Sequence, residues 1–291
     1  MKFPINRLPS WFRQEIPGSI TLKKMDLVSS LEVNTVCKEA RCPNIGNCFN
    51  NGKLTFIILG NTCTRNCRFC GVNKSGHGTL TVDEGEPARI IQIIKEFSLR
   101  YVVITSVTRD DLADGGAAQF ARTIKAIRAL DSNITIEVLI PDFRGNISAL
   151  KSVLAAAPDV AAHNIETVSG LYKYVRQEAD YNLSLEVLSN LKLLEPSIIT
   201  KSSIMLGLGE RYEEVIATMG DLRKSNCDIL TLGQYLAPSK KHYPVYEFVS
   251  PEQFAEYRDI GFSLGFKTVL SGPLVRSSYM AEKVFKEVSC V

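Results

Sequence analysis

The sequence predicts an α/β protein, a partial (β/α)6 TIM-like barrel of parallel strands, from three observations. From residue 54 onward, short apolar runs alternate with segments of helical spacing, giving six βα-type units. The runs are apolar throughout, as in parallel strands covered on both faces. No glycine-rich turn of the dinucleotide-binding kind follows the first run, which disfavours a doubly wound nicotinamide-binding fold.

The elements follow from these periods in chain order. The first strand is predicted at 54–60 (LTFIILG), a buried run that ends at Gly60. The first helix is predicted at 86–97, where three isoleucines and a phenylalanine share one face. The later strands are predicted at 100–106, 134–140, 159–163, 197–206, 228–232 and 267–270, and the later helices at 117–130, 146–157, 170–176, 183–194, 210–225 and 251–264.

The flanking segments do not follow this alternation. We therefore divide the chain into an N-terminal extension (1–53), a barrel (54–270) and a C-terminal tail (271–291). In a barrel of this kind, functional groups are expected in the loops after the strands.

Composition limits the possible function classes. The chain has 291 residues, 45% of them hydrophobic, which is enough for a substantial core. A net charge of +3, with no basic stripe carrying interleaved aromatic residues, argues against nucleic-acid binding. Mean hydropathy near zero and the lack of a long apolar run predict a soluble protein.

Six of the eight cysteines lie between residues 37 and 70. They form two triplets, Cys37-x4-Cys42-x5-Cys48 and Cys63-x3-Cys67-x2-Cys70, and the second triplet follows the first predicted strand. Three thiolates are one short of a closed tetrahedral site. A four-iron cluster held by three cysteines leaves one iron open to another ligand, so the spacing indicates reactive iron–sulfur chemistry.

Other uses of cysteine remain as alternatives. Disulfides are disfavoured because 1–26 shows no apolar secretory segment, and dense cysteine in a cytosolic chain more often binds metal. Structural zinc usually takes four ligands, and only His77 could complete the second triplet. Arg65 and Arg68 would offset the negative charge of a thiolate-bound cluster, or would simply be solvated surface arginines. Cys227 is expected to be an inert core thiol.

Several stretches together resemble the lipoyl synthase family of radical S-adenosylmethionine enzymes, over about residues 8–279. Two departures, Lys38 where the family commonly has an acidic residue and Phe49 where it commonly has tryptophan, touch no expected ligand. The stretches are 63–70 (CTRNCRFC), 36–48 (VCKEARCPNIGNC), 105–116 (TSVTRDDLADGG), 163–167 (HNIET), 201–210 (KSSIMLGLGE) and 272–279 (GPLVRSSY).

The resemblance implies two 4Fe–4S clusters and S-adenosylmethionine as cofactors. The Cys63, Cys67 and Cys70 cluster would bind S-adenosylmethionine and generate a radical that abstracts hydrogen. Cys37, Cys42 and Cys48 would hold an auxiliary cluster consumed as the sulfur source, with Ser278 as its fourth ligand. The implied reaction inserts two sulfur atoms at C6 and C8 of an octanoyl chain on a carrier lysine.

Further contacts with S-adenosylmethionine are expected after the strands, each with an ordinary structural alternative. Ser106 and Asp110 would bind the methionine amino group, although Asp110 could equally serve a helix N-terminus. Phe69 could be a plain core aromatic, and the carboxylate that follows Asn164, that of Glu166, could belong to a loop salt bridge. The expected roles are adenine packing for Phe69, ribose contact for Asn164 and Glu166, and carboxylate binding for Arg176.

The implied partners are octanoylated lipoyl domains of 2-oxoacid dehydrogenase complexes, the glycine-cleavage H protein, and a flavodoxin- or ferredoxin-type electron donor. No nucleic acid or membrane partner is expected, and the expected location is cytoplasmic. Three rival interpretations are another radical S-adenosylmethionine enzyme with an auxiliary cluster, a ferredoxin-type electron carrier and a structural zinc protein. Formation of 5′-deoxyadenosine on reduction separates an enzyme from a carrier, and a brown preparation excludes the zinc protein.

Overall fold

The computed structural model describes residues 8–13, 17–74 and 80–289. These residues fall into two compact units. We call Gln14–Arg65 with Gly71–Ala161 the N-terminal unit. The C-terminal unit comprises Met1–Arg13, Asn66–Cys70 and Ala162–Val291. His77 lies outside the described residues, so the zinc alternative that depends on it is not addressed by the structure.

The N-terminal unit is a parallel sheet with one antiparallel edge strand. Strand β2 pairs with β5 and β5 with β6, all parallel, whereas β1 runs antiparallel to β2. The short strands β3 and β4 form a separate parallel pair. The strands are β1 (Asn34–Thr35), β2 (Thr55–Ile58), β3 (Thr62–Cys63), β4 (Asn73–Lys74), β5 (Tyr101–Ser106), β6 (Thr135–Leu139) and β7 (Val160–Ala162), the last ending where the C-terminal unit begins.

The helices of the N-terminal unit bury one apolar face each. In the helix at Glu86–Phe97, Ile90, Ile93 and Ile94 are buried, and the helix ends where Ser98 adopts a left-handed conformation with φ 51°. Asn146 caps another helix by accepting hydrogen bonds from Ser148 N and Ala149 N. The helices are α1 (Ser19–Ser30), α2 (Val36–Glu39), α3 (Ile45–Asn50), α4 (Glu86–Phe97), α5 (Ala117–Leu130) and α6 (Ile147–Leu154).

The C-terminal unit repeats the parallel βα arrangement. Strand β8 pairs with β9 and β9 with β10, all parallel. Buried residues of these strands and of four helices form its core, which includes Ile204, Leu232, Met219 and Phe254. Its elements are α7 (Tyr172–Val175), α8 (Tyr181–Leu194), β8 (Ile199–Leu206), α9 (Tyr212–Lys224), β9 (Ile229–Gln234), α10 (Pro251–Ser263), β10 (Thr268–Gly272) and α11 (Ala281–Ser289).

The structure corrects two sequence-based expectations about the elements. The strands are not apolar throughout, because Glu137 on β6 and Lys201 on β8 are each only 1% exposed. Glu137 accepts a hydrogen bond from Tyr101 Oη at 2.6 Å, which offsets part of the cost of burying its carboxylate. The flanking segments are also more regular than predicted, since 1–53 contains α1 to α3 and 271–291 contains α11.

No helix among the described residues is long and apolar enough to cross a membrane. The predicted division into an N-terminal extension, a barrel and a C-terminal tail, with boundaries at residues 53 and 270, was based on function. It stays a prediction.

Candidate functional site

The first cysteine triplet lies on two short helices of the N-terminal unit. Thr35 caps α2, which carries Cys37, by accepting a hydrogen bond from Lys38 N. The chain then turns back, because Cys42 N donates to Cys37 O at 3.1 Å, and Cys48 follows on α3. All three cysteines are free thiols.

Cys42 and Cys48 are close enough to Cys37 to affect its ionisation. Burial, followed by the charges of Cys42 and Cys48, raises the pKa of Cys37 to about 12, against the opposing hydrogen bond from the Thr55 backbone. Burial and Cys42 raise the pKa of Cys48 to about 11, against the opposing charge of Lys53. Cys42 and Cys48 therefore lie near Cys37, and their role as ligands of one cluster stays a prediction.

The donor set of this triplet fits an iron–sulfur cluster. Crowded thiols with raised pKa values lose their protons when a cation binds them, and soft thiolates suit iron–sulfur clusters. Among the described residues no group of three or more His, Cys, Asp or Glu side chains could hold a metal ion. A four-iron cluster makes a different demand, because each of its ligands binds a different iron atom.

The second triplet lies on the loop that begins at β3. Cys63 belongs to the N-terminal unit, where β3 pairs with β4 beyond the loop and Arg65 N donates to Cys63 Sγ at 3.4 Å. Cys67 and Cys70 belong to the C-terminal unit, where Cys70 N donates to Cys67 O at 3.2 Å. Amide donors aimed at sulfur are a usual feature of cluster loops, because they stabilise thiolate charge.

Arg65 fixes the first part of this loop through a buried ion-pair network. Its guanidinium group contacts both oxygens of Asp110, at 2.7 and 3.0 Å, and both oxygens of Asp142, at 2.5 and 2.7 Å. Arg144 Nε also lies 3.1 Å from Asp110. Arg65 is only 6% exposed, so the surface-arginine alternative is wrong for Arg65, whereas Arg68 is exposed.

The network bears on the predicted role of Asp110. Both of its carboxylate oxygens already pair with guanidinium groups, and its backbone N–H donates to Thr64 Oγ1 at 3.0 Å. The contact with a methionine amino group stays a prediction, whereas the contacts present make Asp110 an anchor for the loop. Sequence reasoning missed Asp142, since nothing in its local pattern marks it as the partner of Arg65.

Ser106 ends strand β5 in the N-terminal unit. Its Oγ is buried and, among the residues that the structure describes, has no hydrogen-bond partner. Burying a hydroxyl without a hydrogen-bond partner costs folding free energy, and a bound ligand that supplied a partner would offset this cost.

Asn164, Glu166 and Arg176 come together in the C-terminal unit, directly after β7. Asn164 Nδ2 donates to Glu166 Oε1 at 3.0 Å, and Arg176 Nη1 donates to Asn164 O at 3.1 Å. Burial raises the pKa of Glu166, while Arg176 and Asn164 act to lower it. Two residues missed by the sequence reasoning complete this group, since Tyr172 Oη and Ser184 Oγ accept from Arg176 at 3.1 and 3.2 Å.

The backbone around Glu166 is held in an unusual conformation. Glu166 has φ 67°, in the left-handed region that few non-glycine residues adopt. Its N–H donates to Ser203 O at 2.9 Å and its carbonyl accepts from Met205 N at 2.8 Å, so β8 holds the peptide on both sides. Such conformations often occur at functional sites.

Phe69 is partly buried against a core cluster of the C-terminal unit formed by Val175, Leu208, Tyr235 and Tyr243. Arg68, its neighbour, is exposed and lies over the Tyr243 ring at 5.3 Å. Phe69 therefore has a packing role, and its contact with adenine stays a prediction.

Two glycines of the stretch 201–210 follow β8. Gly207 and Gly209 have φ 91° and 105°. A Cβ on Gly207 would lie 2.1 Å from Gln234 Nε2 and 2.3 Å from Glu247 O, whereas one on Gly209 would meet only the Tyr246 ring at 3.5 Å. Gly207 is therefore required for close packing and not only for its turn.

The C-terminal segment contacts the group after β7 through one serine. Ser277 Oγ donates to Asn164 Oδ1 at 3.0 Å, a contact that sequence reasoning did not predict. Ser278, the predicted cluster ligand, is half-buried in the same unit.

A model of the radical SAM superfamily matches residues 57–222 of the chain. Curated lipoyl synthases are similar over almost the whole length. The lipoyl synthase of Caldanaerobacter subterraneus subsp. tengcongensis is 52% identical over 276 residues, 95% of this chain and 96% of its own. The mitochondrial lipoyl synthase of Nematostella vectensis is 52% identical over 276 residues, 94% of each chain. That of Thermus thermophilus is 48% identical over 289 residues, 98% of this chain and 89% of its own.

Two solved structures illustrate the similarity of fold. HydG, a maturase of the FeFe-hydrogenase, has a TM-score of 0.59 at 16% identity, covering 78% of this chain and 53% of its own. Methylornithine synthase has a TM-score of 0.55 at 13% identity, covering 71% of this chain and 61% of its own. At these identities the likeness concerns the fold alone, and it confirms the predicted α/β partial-barrel class.

Proposed function

The chain belongs to the lipoyl synthase family of the radical SAM superfamily, and on that premise we propose how its residues divide the work of sulfur insertion. It is a radical SAM sulfurtransferase with S-adenosylmethionine and two 4Fe–4S clusters as cofactors, and its substrate is a protein-bound octanoyl chain. An aliphatic C–H bond offers no acid–base handle, so hydrogen must leave as an atom.

Cys63, Cys67 and Cys70 are proposed to hold the cluster that cleaves S-adenosylmethionine. When bound, that cluster supplies the radical chemistry that removes hydrogen from C6 and then from C8. Support comes from the spacing and from the anchored loop, in which Arg65 is locked between two carboxylates and its amide donates to Cys63 Sγ. Anchoring the loop keeps the thiols in place before iron arrives.

Cys37, Cys42 and Cys48 are proposed to hold the auxiliary cluster that donates sulfur, with Ser278 as its fourth ligand. The backbone turn that brings Cys42 back to Cys37, together with the effect of Cys42 and Cys48 on the pKa of Cys37, is the single observation that carries the proposal. An oxygen ligand is harder than thiolate, so the iron it holds is the easier one to release from a cluster that must be dismantled. Arg276, in the same stretch, would favour the deprotonated Ser278 hydroxyl by its charge.

Six residues are proposed to contact S-adenosylmethionine, and the structure supports them unequally. The Asn164, Glu166 and Arg176 group offers a carboxylate for ribose hydroxyls and a guanidinium for the methionine carboxylate. Ser106 offers a buried hydroxyl. The other two, Phe69 and Asp110, already have structural contacts.

The partners and location are proposed on chemical grounds. Octanoylated lipoyl domains and the glycine-cleavage H protein carry the required acyl-lysine, and a flavodoxin- or ferredoxin-type protein would deliver electrons. We place the chain in the cytoplasm, because reduced thiols persist there. Similar lipoyl synthases also occur in mitochondria and the apicoplast, so cell fractionation is the test of location.

Anaerobic incubation with an octanoylated lipoyl domain tests this function. The reconstituted protein, S-adenosylmethionine and a reductant should give a dihydrolipoyl carrier, in which two C–H bonds have become C–SH and the mass has increased by two sulfur atoms, together with 5′-deoxyadenosine. Formation of 5′-deoxyadenosine with an unchanged carrier, or methylthiolation of another substrate, would contradict the proposal.

A further inference from the structure

A continuous line of hydrogen bonds joins the C-terminal segment to the acidic group after β7. It runs from Ser277 Oγ to Asn164 Oδ1 at 3.0 Å and from Asn164 Nδ2 to Glu166 Oε1 at 3.0 Å. All three residues belong to the C-terminal unit.

The chemistry of the amide makes these two contacts depend on each other. Asn164 turns its NH2 group toward Glu166, because its Nδ2 donates to Glu166 Oε1. Its carbonyl oxygen then points the other way and needs a donor, which the Ser277 hydroxyl provides. Ser277 thus stabilises the amide orientation in which Asn164 supports Glu166.

The rest of the group is held on its other sides. Arg176 donates to Asn164 O, and β8 fixes the Glu166 peptide through Ser203 and Met205. By contrast, the segment that carries Ser277 is a loop between β10 and α11 whose turn closes by a hydrogen bond from Tyr279 N to Arg276 O at 2.9 Å. In this hydrogen-bonded line, the C-terminal loop segment 272–279 therefore contributes Ser277, whereas the Glu166 peptide is held by strand β8.

We propose that Ser277 is a positioning residue that links docking of segment 272–279 to binding of S-adenosylmethionine at Glu166. The two serines of the pair then have separate tasks, since Ser278 is assigned to the auxiliary cluster and Ser277 to the nucleoside site. The inference rests on the proposed function, because it uses the assignment of Asn164 and Glu166 to S-adenosylmethionine.

The linkage has a quantitative consequence. If the docked segment tightens S-adenosylmethionine binding by some factor, the bound molecule must stabilise the docked segment by the same factor. Loss of one hydrogen bond in a half-buried group corresponds to a factor of about five.

The test uses anaerobically reconstituted full-length protein without reductant, so that S-adenosylmethionine binds and is not cleaved. Its dissociation constant is measured by equilibrium dialysis, and amide hydrogen exchange of 272–279 is followed with and without it. The Ser277→Ala variant should bind about fivefold more weakly and lose the ligand-induced protection. The Ser277→Thr variant, which keeps a hydroxyl, should restore both properties.

Ser271→Ala is the matched control, because the Ser271 hydroxyl donates to Phe254 O and not to the acidic group. It should behave like the natural sequence in both measurements. Iron content should be unchanged in Ser277→Ala, and a loss of iron would overturn the inference by making Ser277 a cluster ligand.

Glu166→Gln separates failure of the inference from failure of the proposed site. If Glu166→Gln weakens binding while Ser277→Ala leaves affinity and protection unchanged, the linkage is wrong and the site assignment stands. If Glu166→Gln binds as tightly as the natural sequence, the site assignment is wrong and the inference falls with it.

Discussion

The guanidinium group of Arg65 donates two hydrogen bonds to the carboxylate of Asp142, at 2.5 and 2.7 Å. The residues are 77 positions apart, and the side chains are only 6% and 1% exposed. Burial acts to lower the pKa of Arg65, but hydrogen bonds to Asp142 and Asp110 outweigh it and raise the pKa. The cluster loop is thus attached, within the N-terminal unit, to the chain that follows β6.

Replacing Arg65 should destabilise the protein strongly. Arg65→Gln leaves the buried Asp142 carboxylate without its cation, which costs about 3–5 kcal/mol in the free energy of unfolding. Urea unfolding of the full chain measures this cost. Arg100→Gln is the control, because Arg100 is 74% exposed and its pair with Asp131 should contribute less than about 1 kcal/mol. Equal effects of the two variants would show that the Arg65 network does not anchor the loop.

The two glycines after β8 should respond differently to alanine. Gly207→Ala forces a Cβ against Gln234 and the Glu247 carbonyl, in addition to the cost of its positive φ. We expect a loss of more than about 3 kcal/mol in the free energy of unfolding. Gly209→Ala has room for the Cβ and should lose only about 1 kcal/mol. Thermal unfolding of both variants compares them directly, and similar melting temperatures would contradict the packing argument.

The pH dependence of stability should include a contribution from Asp228. Burial alone would raise its pKa, but hydrogen bonds from Lys192 and Thr200 outweigh burial, so the pKa lies below its ordinary value of 3.8. Because the pKa of Asp228 is lower in the folded state, its carboxylate stabilises the fold at pH values above its ordinary pKa. This stabilisation is lost as the pH falls through the folded-state pKa.

Asp228→Asn should therefore lose about 2–3 kcal/mol at about pH 7, and this loss should shrink below about pH 4. Urea unfolding at both pH values measures the difference. Asp259→Asn, at an exposed pair with Arg258, should change stability by less than about 0.5 kcal/mol at either pH. A loss for Asp228→Asn that stays the same at low pH would rule out this contribution.

Replacing the oxygen ligand of the auxiliary cluster should slow sulfur release. Ser278→Cys supplies a soft thiolate in place of the hydroxyl. The reconstituted variant should therefore keep about eight irons but form less sulfur-containing carrier for each S-adenosylmethionine cleaved. Iron content and product mass, measured on the same sample, test this. A variant with full iron and undiminished sulfur transfer would show that a hard ligand at this position is unimportant.

Sequence reasoning predicted helix bounds correctly where the spacing of apolar residues along the chain determines the helix. Helices α4 and α5 have the predicted bounds, because their apolar faces repeat at helical spacing and each ends at a clear boundary. The grouping of the first cysteine triplet also rests on spacing, since its members are close in sequence, and it stays a prediction. These features depend on neighbours within a few turns of chain.

The features that were missed depend on distant residues. Arg65 finds its partners 45 and 77 positions away, and Ser277 meets Asn164 113 positions away, so no local pattern could indicate these pairs. The buried Glu137 and Lys201 break the apolar pattern of their strands for the same reason, because tertiary surroundings decide whether a charge is tolerated.

The central claim is that Cys37, Cys42 and Cys48 hold the cluster that provides the sulfur. Its most direct test reconstitutes the protein with a heavy sulfur isotope, removes free sulfide, and follows one turnover on an octanoylated carrier. Both sulfur atoms of the product should carry the heavy isotope. A triple variant with serine at positions 37, 42 and 48 should keep about four irons and still form 5′-deoxyadenosine, but insert no sulfur. Unlabelled product from the natural sequence, or labelled product from the triple variant, would contradict the account.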